Sequence, residues 1–199
     1  MTLQELEVRL KTLEDIEEIN KLQRAYGYYL EHWEGQHIVE LFSNSNNVSV
    51  EANRKGVYLG QEGIKYFFLT DKVSPEFLHV MIQLSGIVDV DPGGKTAKGR
   101  WYGFGPQAMP IEGVFRALWV LGVYENEYVK EDGKWKLQKI QYSIIFSTPY
   151  EDGWVKTPTM PPPQFRRKEG PKSGPSTCYK PYPSGYNLPY HYKNPVTRK

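Results

Sequence analysis

An α+β domain, with helices packed on one face of a curved antiparallel sheet, is predicted by three features of this sequence. Helical periodicity dominates residues 3–42, long alternating strands in pairs around Gly-containing turns fill residues 77–147, and a Pro- and Tyr-rich stretch occupies residues 148–199. Helices first and paired strands afterwards separate this class from one that alternates them.

From Leu3 to Trp33 the apolar residues Leu6, Leu10, Leu13, Ile16, Ile19, Leu22, Tyr26, Tyr29 and Leu30 recur at intervals of three and four. That spacing lines one helix face. Thr12 with Asp15 resembles a capping box, so two helices meeting near residue 12 are one reading of this stretch, with Gly35 as its C-terminal stop. A short helix over residues 37–42 follows. Residues 48–51 and 56–59 read as short strands, and residues 61–69 as an amphipathic helix.

Residues 77–90 and 96–104 flank Asp91-Pro92-Gly93-Gly94 and predict a hairpin. Residues 114–130 and 134–147 flank Glu131-Asp132-Gly133 and predict a second. Beyond Thr148, runs such as Pro161-Pro162-Pro163 and Tyr179-Lys180-Pro181-Tyr182-Pro183 rule against regular structure. Tyr179, Tyr182, Tyr186, Tyr190 and Tyr192 predict a wrapping arm, because a tyrosine ring buries area while its hydroxyl stays bonded. The division expected is a domain over residues 1–147 and an irregular arm over 148–199.

The 199 residues suffice for one domain with a sizeable core. The 25 basic and 23 acidic residues are spread along the chain and leave no electrostatic footprint for nucleic acid. The start lacks the apolar stretch of a signal peptide or membrane span, and the one cysteine, Cys178, cannot form an internal disulfide, so a cytoplasmic location is expected. A Gly-rich phosphate loop, paired cysteines, an HExxH helix and a G-x-S-x-G elbow are all missing from the sequence. His32 and His37, five apart, are poorly spaced for two ligands on one helix face. Neither a metal nor an organic cofactor is expected.

Three pieces, together spanning residues 13–147, resemble the SnoaL-like branch of the nuclear transport factor 2 superfamily. LEDIEEINKLQRAYGYYLEHWEGQHIVELF is similar to its opening helix pair, FLHVMIQLSGIVDVDPGGKTAKGRW to its histidine-bearing strand and hairpin, and GVYENEYVKEDGKWKL to its late hairpin. The ending LPYHYKNPVT is similar to the tail of longer members. The resemblance implies a cone, a curved sheet closed by the N-terminal helices around an apolar pocket, often in a homodimer or higher homo-oligomer. It also implies proton-transfer chemistry, the shared theme of the family's dehydratases, dehydrochlorinases, isomerases and cyclases.

Residue by residue, the opening helix places Glu31 where dehydratase relatives carry a catalytic Asp, one methylene longer. Burial beside an apolar pocket would disfavour its charge and ready it as a base. His79, Met81 and Gln83 share one strand face by alternation. Counting back from the DPGG turn without a gap puts Met81 at the family's histidine position, whereas a hairpin longer by two residues restores His79. Tyr26, Tyr28, Tyr29 and Tyr58 are candidate phenols for polarising a substrate oxygen, with Tyr29 taken as the catalytic one. Arg100 and Trp101 are candidate substrate contacts on opposite faces of the next strand. Cys178 lacks the setting of a nucleophile. The function expected is a cofactor-independent lyase of dehydratase, eliminating or deformylating type, acting on a small aromatic or polycyclic molecule. Isomerase or cyclase chemistry, and a non-catalytic binding protein on the same fold, are the alternatives.

Overall fold

The computed structural model describes residues 1–52, 56–69, 74–161 and 173–199. Its first element, α1 (Leu3–Glu31), is one unbroken helix. The capping box is Thr2 with Glu5, not Thr12 with Asp15. The Glu5 N–H donates to Thr2 Oγ1 at 3.1 Å and the Thr2 N–H donates to the Glu5 carboxylate at 2.8 Å. Thr12 instead donates its hydroxyl to the Val8 carbonyl, 3.0 Å away, inside the helix. Asp15 is drawn to the sheet by Lys130 Nζ and by Trp135 Nε1, the latter at 3.0 Å. Gly35 does not stop α1 but opens α2 (Gly35–Glu40); a Cβ there would collide with the Phe68 carbonyl, so the residue permits a close crossing.

The strands are β1 (Ser49–Ala52), β2 (Val57–Leu59), β3 (Leu78–His79), β4 (Ile82–Val90), β5 (Thr96–Ile111), β6 (Val114–Glu131) and β7 (Lys134–Pro149), with α3 (Gly60–Phe68) between β2 and β3. The sheet runs β2-β1-β7-β6-β5-β3, and β4 also pairs with β5. It is curved and unclosed, and mixed rather than wholly antiparallel, because β1 lies parallel to β7. Turn signals encode only neighbours in sequence, so this long-range parallel pairing left no mark in them. Bulges between Leu84 and Ile87, Leu121 and Gly122, and Glu127 and Tyr128 bend the long strands.

Both predicted hairpins form. The Gly94 N–H reaches the Asp91 carbonyl at 2.8 Å, and Asp132 and Gly133 both take positive φ, as a type I′ turn requires. A third, around Glu112-Gly113, joins β5 to β6 in the same conformation. Pro106 and Pro110 hid it, since proline argues against a ladder position. Pro106 is accommodated because its other neighbour is an interrupted edge, where the Val80 N–H donates to the Pro106 carbonyl at 3.2 Å. The stretch expected as one strand over 77–90 therefore breaks between His79 and Ile82.

The inner face of the sheet meets the helices in one core. Ile19 and Tyr26 of α1, Ile38 of α2, and Ile64, Phe67 and Phe68 of α3 pack on Trp101, Tyr124, Tyr128, Leu137, Ile140 and Tyr142. On the outer face Val123 packs with Cys178 and Leu188 of the C-terminal segment. That segment includes a single helical turn, α4 (Gly153–Lys156); residues 162–172 of the expected arm lie outside the described residues. Its anchors are mainly polar. Buried Glu51 accepts from Ser176 Oγ at 2.8 Å, Thr177 Oγ1 at 2.9 Å and the Cys178 N–H at 3.0 Å. Tyr182 and Tyr190 are exposed, whereas Tyr179 and Tyr186 are partly buried against the core clusters, so the tyrosine rings divide between packing and solvent. Among the described residues no helix is long and apolar enough to cross a membrane.

Candidate active site

The end of α1, the start of α2 and the β3 edge build one mouth of the helix-sheet layer. α1 stops at Glu31, and the His32 N–H closes back on the Tyr28 carbonyl at 3.1 Å. Trp33 then takes φ +57°, a left-handed conformation that turns the chain toward α2. Its indole lies 5.2 Å from the His79 ring and 5.8 Å, edge-on, from Phe77. His79 Nδ1 stands 3.4 Å from the Leu30 carbonyl oxygen. A carbonyl only accepts, so this contact favours the tautomer with the proton on Nδ1 and a lone pair on Nε2. Glu31 follows Leu30 and is half-buried, and among the described residues no ion pair joins it to His79.

Register carries the inner face from this mouth into the core. His79 pairs with Gln107 and Gln83 with Gly103, so one unbroken count spans the interruption and His79, Met81 and Gln83 share a face. Gly103 and Gly122 stand opposite each other on β5 and β6. Side chains at either would invade Tyr142, so their absence makes room for the tyrosine rings. Tyr124 and Tyr142 lie 4.3 Å apart and Tyr26 meets Tyr124 edge-on at 6.0 Å.

Behind the rings sits a closed polar network. Gln23 Oε1 accepts from Tyr128 OH at 2.7 Å and from Asn126 Nδ2 at 3.0 Å, while Gln23 Nε2 donates to Gln83 Oε1 at 2.8 Å. Gln83 Nε2 donates in turn to the Met81 carbonyl at 2.9 Å, and Tyr142 OH donates to the Gly103 carbonyl at 3.2 Å. Burial pushes the phenols of Tyr26, Tyr124, Tyr128 and Tyr142 up, which keeps them protonated. The network is neutral amide and phenol, its groups bonded to one another, and is not built to take a proton.

The candidate residues therefore divide. Tyr26, Met81, Gln83 and Trp101 lie together inside. Glu31 and His79 lie at the mouth. Tyr29 stacks on His37 at 5.1 Å, on the α2 side. Three expected pocket contacts lie elsewhere. Tyr28 is 65% exposed, because the helix turns it away from the sheet. Tyr58 is buried against Tyr66 and Phe67 as packing between β2 and α3. Arg100 lies on the outer face, bonded to Glu125 and, at 2.7 Å, to Asn187 Oδ1, with the Tyr190 ring 4.5 Å away. Gln23, Tyr124, Asn126, Tyr128 and Tyr142 were missed. Their signal was Tyr124-x-Asn126-x-Tyr128, three large hydrogen-bonding side chains on one face of a predicted strand. Among the described residues no cluster of His, Cys, Asp or Glu has the makings of a metal site.

A family model described as a SnoaL-like domain matches residues 11–141. Among solved structures, a putative scytalone dehydratase from Novosphingobium aromaticivorans DSM 12444 is similar with a TM-score of 0.58 and 19% identity, over 70% of this chain and 90% of that one. LinA is similar with a TM-score of 0.57 and 19% identity over 78% and 99%. The LinA-type3 hexachlorocyclohexane dehydrochlorinase from Novosphingobium barchaimii LL02 gives 0.56 and 19% over the same shares. At such identity these likenesses speak for the fold. No curated protein matches. With helices closing one face of a curved mixed sheet, and with the model match running from within α1 to the middle of β7, the chain belongs to the SnoaL-like domain family.

Proposed function

We propose that this protein is a cofactor-independent lyase that moves a proton on a small, largely apolar, aromatic molecule at the mouth between α1 and β3. The observation that carries this reading is His79, whose Nδ1 faces the Leu30 carbonyl at 3.4 Å at the end of the helix that carries Glu31; its imidazole is the proposed base. Trp33 and Phe77 beside it offer aromatic walls for a flat substrate. In a dehydration, Nε2 takes a proton from carbon, the C–H pair becomes the new double bond, and the C–O bond breaks. The imidazolium then returns the proton to the departing oxygen, releasing water. Glu31, one residue beyond the carbonyl that orients His79, is the proposed second acid–base group at this mouth. The similar putative scytalone dehydratase and hexachlorocyclohexane dehydrochlorinase fit this reaction class by name.

A second reading, a binding protein on the same fold, is favoured by one observation: the buried network of Gln23, Gln83, Asn126 and Tyr128 is neutral throughout. The same experiment separates the two. Aromatic alcohols, diols and ketones are incubated with the protein and followed by mass spectrometry for loss of water or formaldehyde, or for a shifted double bond. Product that disappears with His79→Ala supports the lyase; saturable binding with no product supports the binding protein.

A further inference from the structure

The first half of α1 carries an apolar stripe that its own fold leaves uncovered. Leu3, Leu6, Leu10 and Leu13 are 73%, 47%, 56% and 64% exposed. They are spaced three, four and three apart, the a and d positions of two heptads. The residues of α1 that the body buries are Asp15, Ile19, Gln23, Tyr26 and Gly27. At 3.6 residues per turn, the leucine stripe is centred roughly opposite that face. Residues 1–14 are exposed on every face, Val8 at 62% on the side away from the leucines, so this half-helix projects beyond the body and the stripe is open along its length. Polar Glu17 and Asn20 follow at the next two seam positions, so the stripe ends where the body begins.

We infer that this stripe is a dimer seam, and that its occupant is the same helix of a second copy of this chain, running parallel. Charge decides both partner and direction. With the leucines at a and d, Glu7 and Glu14 occupy e and Arg9 occupies g. A parallel pair sets each Arg9 against Glu14 of the other copy, whereas an antiparallel pair that matches the leucines sets Glu7 against Glu7 and Arg9 against Arg9. Among the described residues Arg9 makes no ion pair, its side chain resting on Met1 Sδ at 3.4 Å. A membrane surface is the poorer occupant, because Glu5, Glu7 and Glu14 outnumber Arg9 and Lys11 along this half-helix. The seam is short, but the helix is already ordered by its continuation through Glu31, so pairing does not bear the cost of nucleating it. The family model begins only at residue 11, so most of the seam lies ahead of the shared domain.

The test is the mass of the full chain in solution, by sedimentation equilibrium, at high micromolar concentration. The wild type is expected at twice 23.1 kDa. Leu6→Glu with Leu10→Glu, both on the exposed face, should give a monomer with an unchanged circular dichroism spectrum. Arg9→Glu should weaken the dimer about tenfold, and Arg9→Glu with Glu14→Arg should restore it. Leu3→Cys, meeting its own copy across a parallel seam, should form an intermolecular disulfide on oxidation. A monomeric wild type, a dimer that survives the double Glu variant, a failure of the charge swap to restore pairing, or binding to anionic vesicles by a chain that stays monomeric would each overturn the inference.

Discussion

Gln23 shows how much one side chain organises. Its carboxamide satisfies Tyr128 OH, Asn126 Nδ2 and Gln83 Oε1 at once, all in the core. Gln23→Leu keeps the volume but strands all three, and should cost about 3 kcal/mol of stability in urea unfolding, since an unsatisfied buried group costs about 1–3 kcal/mol. At the mouth the consequence is functional. On the proposed mechanism Glu31→Gln and His79→Ala should each lower turnover by about two to four orders of magnitude, and a double variant little worse than either would show that the two act as one unit. The helix and strand that carry Glu31 and His79 were legible in the sequence because helical spacing and strand alternation are local. Tyr28, Tyr58 and Arg100 were misplaced because alternation and helical spacing give relative faces only. Which face is inward depends on partners distant in sequence.

Among the elements, the C-terminal segment depends on a carboxylate of β1. Burial opposes the charge of Glu51, but the hydroxyl and N–H donors of Ser176, Thr177 and Cys178 outweigh it and hold the carboxyl below its usual range. A lowered folded value means that this stabilisation is present above the ordinary carboxylate pKa and is lost as pH falls through the folded value. Limited proteolysis should therefore show the segment around Ser176 released progressively below about pH 4. Glu51→Gln, which turns an amide N–H toward these donors, should release it already at neutral pH. Protection that is independent of both changes would mean the segment is held by Leu188 and Arg100 instead. Cys178 contributes as an apolar plug: it is buried, with burial pushing its thiol up to about 12, so it should resist alkylation in the folded protein. The segment's irregular backbone was legible from its prolines. Its polar clamp was not, because Glu51 and Ser176 lie far apart in sequence and neither stretch carries a local signal of the pairing.

At the scale of the molecule, much of the order of elements was readable because two of the three hairpins announce themselves through Gly-containing turns and α1 through its period, whereas the Glu112-Gly113 hairpin and α4 went unread. The parallel β1–β7 pairing and the break between His79 and Ile82 were not, since both arise from how distant elements meet. The consequence is a layered body: a neutral phenol-amide interior bonded within itself, a mouth with one imidazole set against a helix end, and an outer face partly covered by the C-terminal segment. Proton transfer at that mouth is the central claim. The most direct measurement is product formation by the wild type and by His79→Ala, followed by mass spectrometry over a panel of aromatic alcohols, diols and ketones. Loss of water, formaldehyde or a shifted double bond on at least one compound, reduced at least about a hundredfold by His79→Ala, is the predicted result. Equal product from both proteins, or binding without product on every compound, would contradict it.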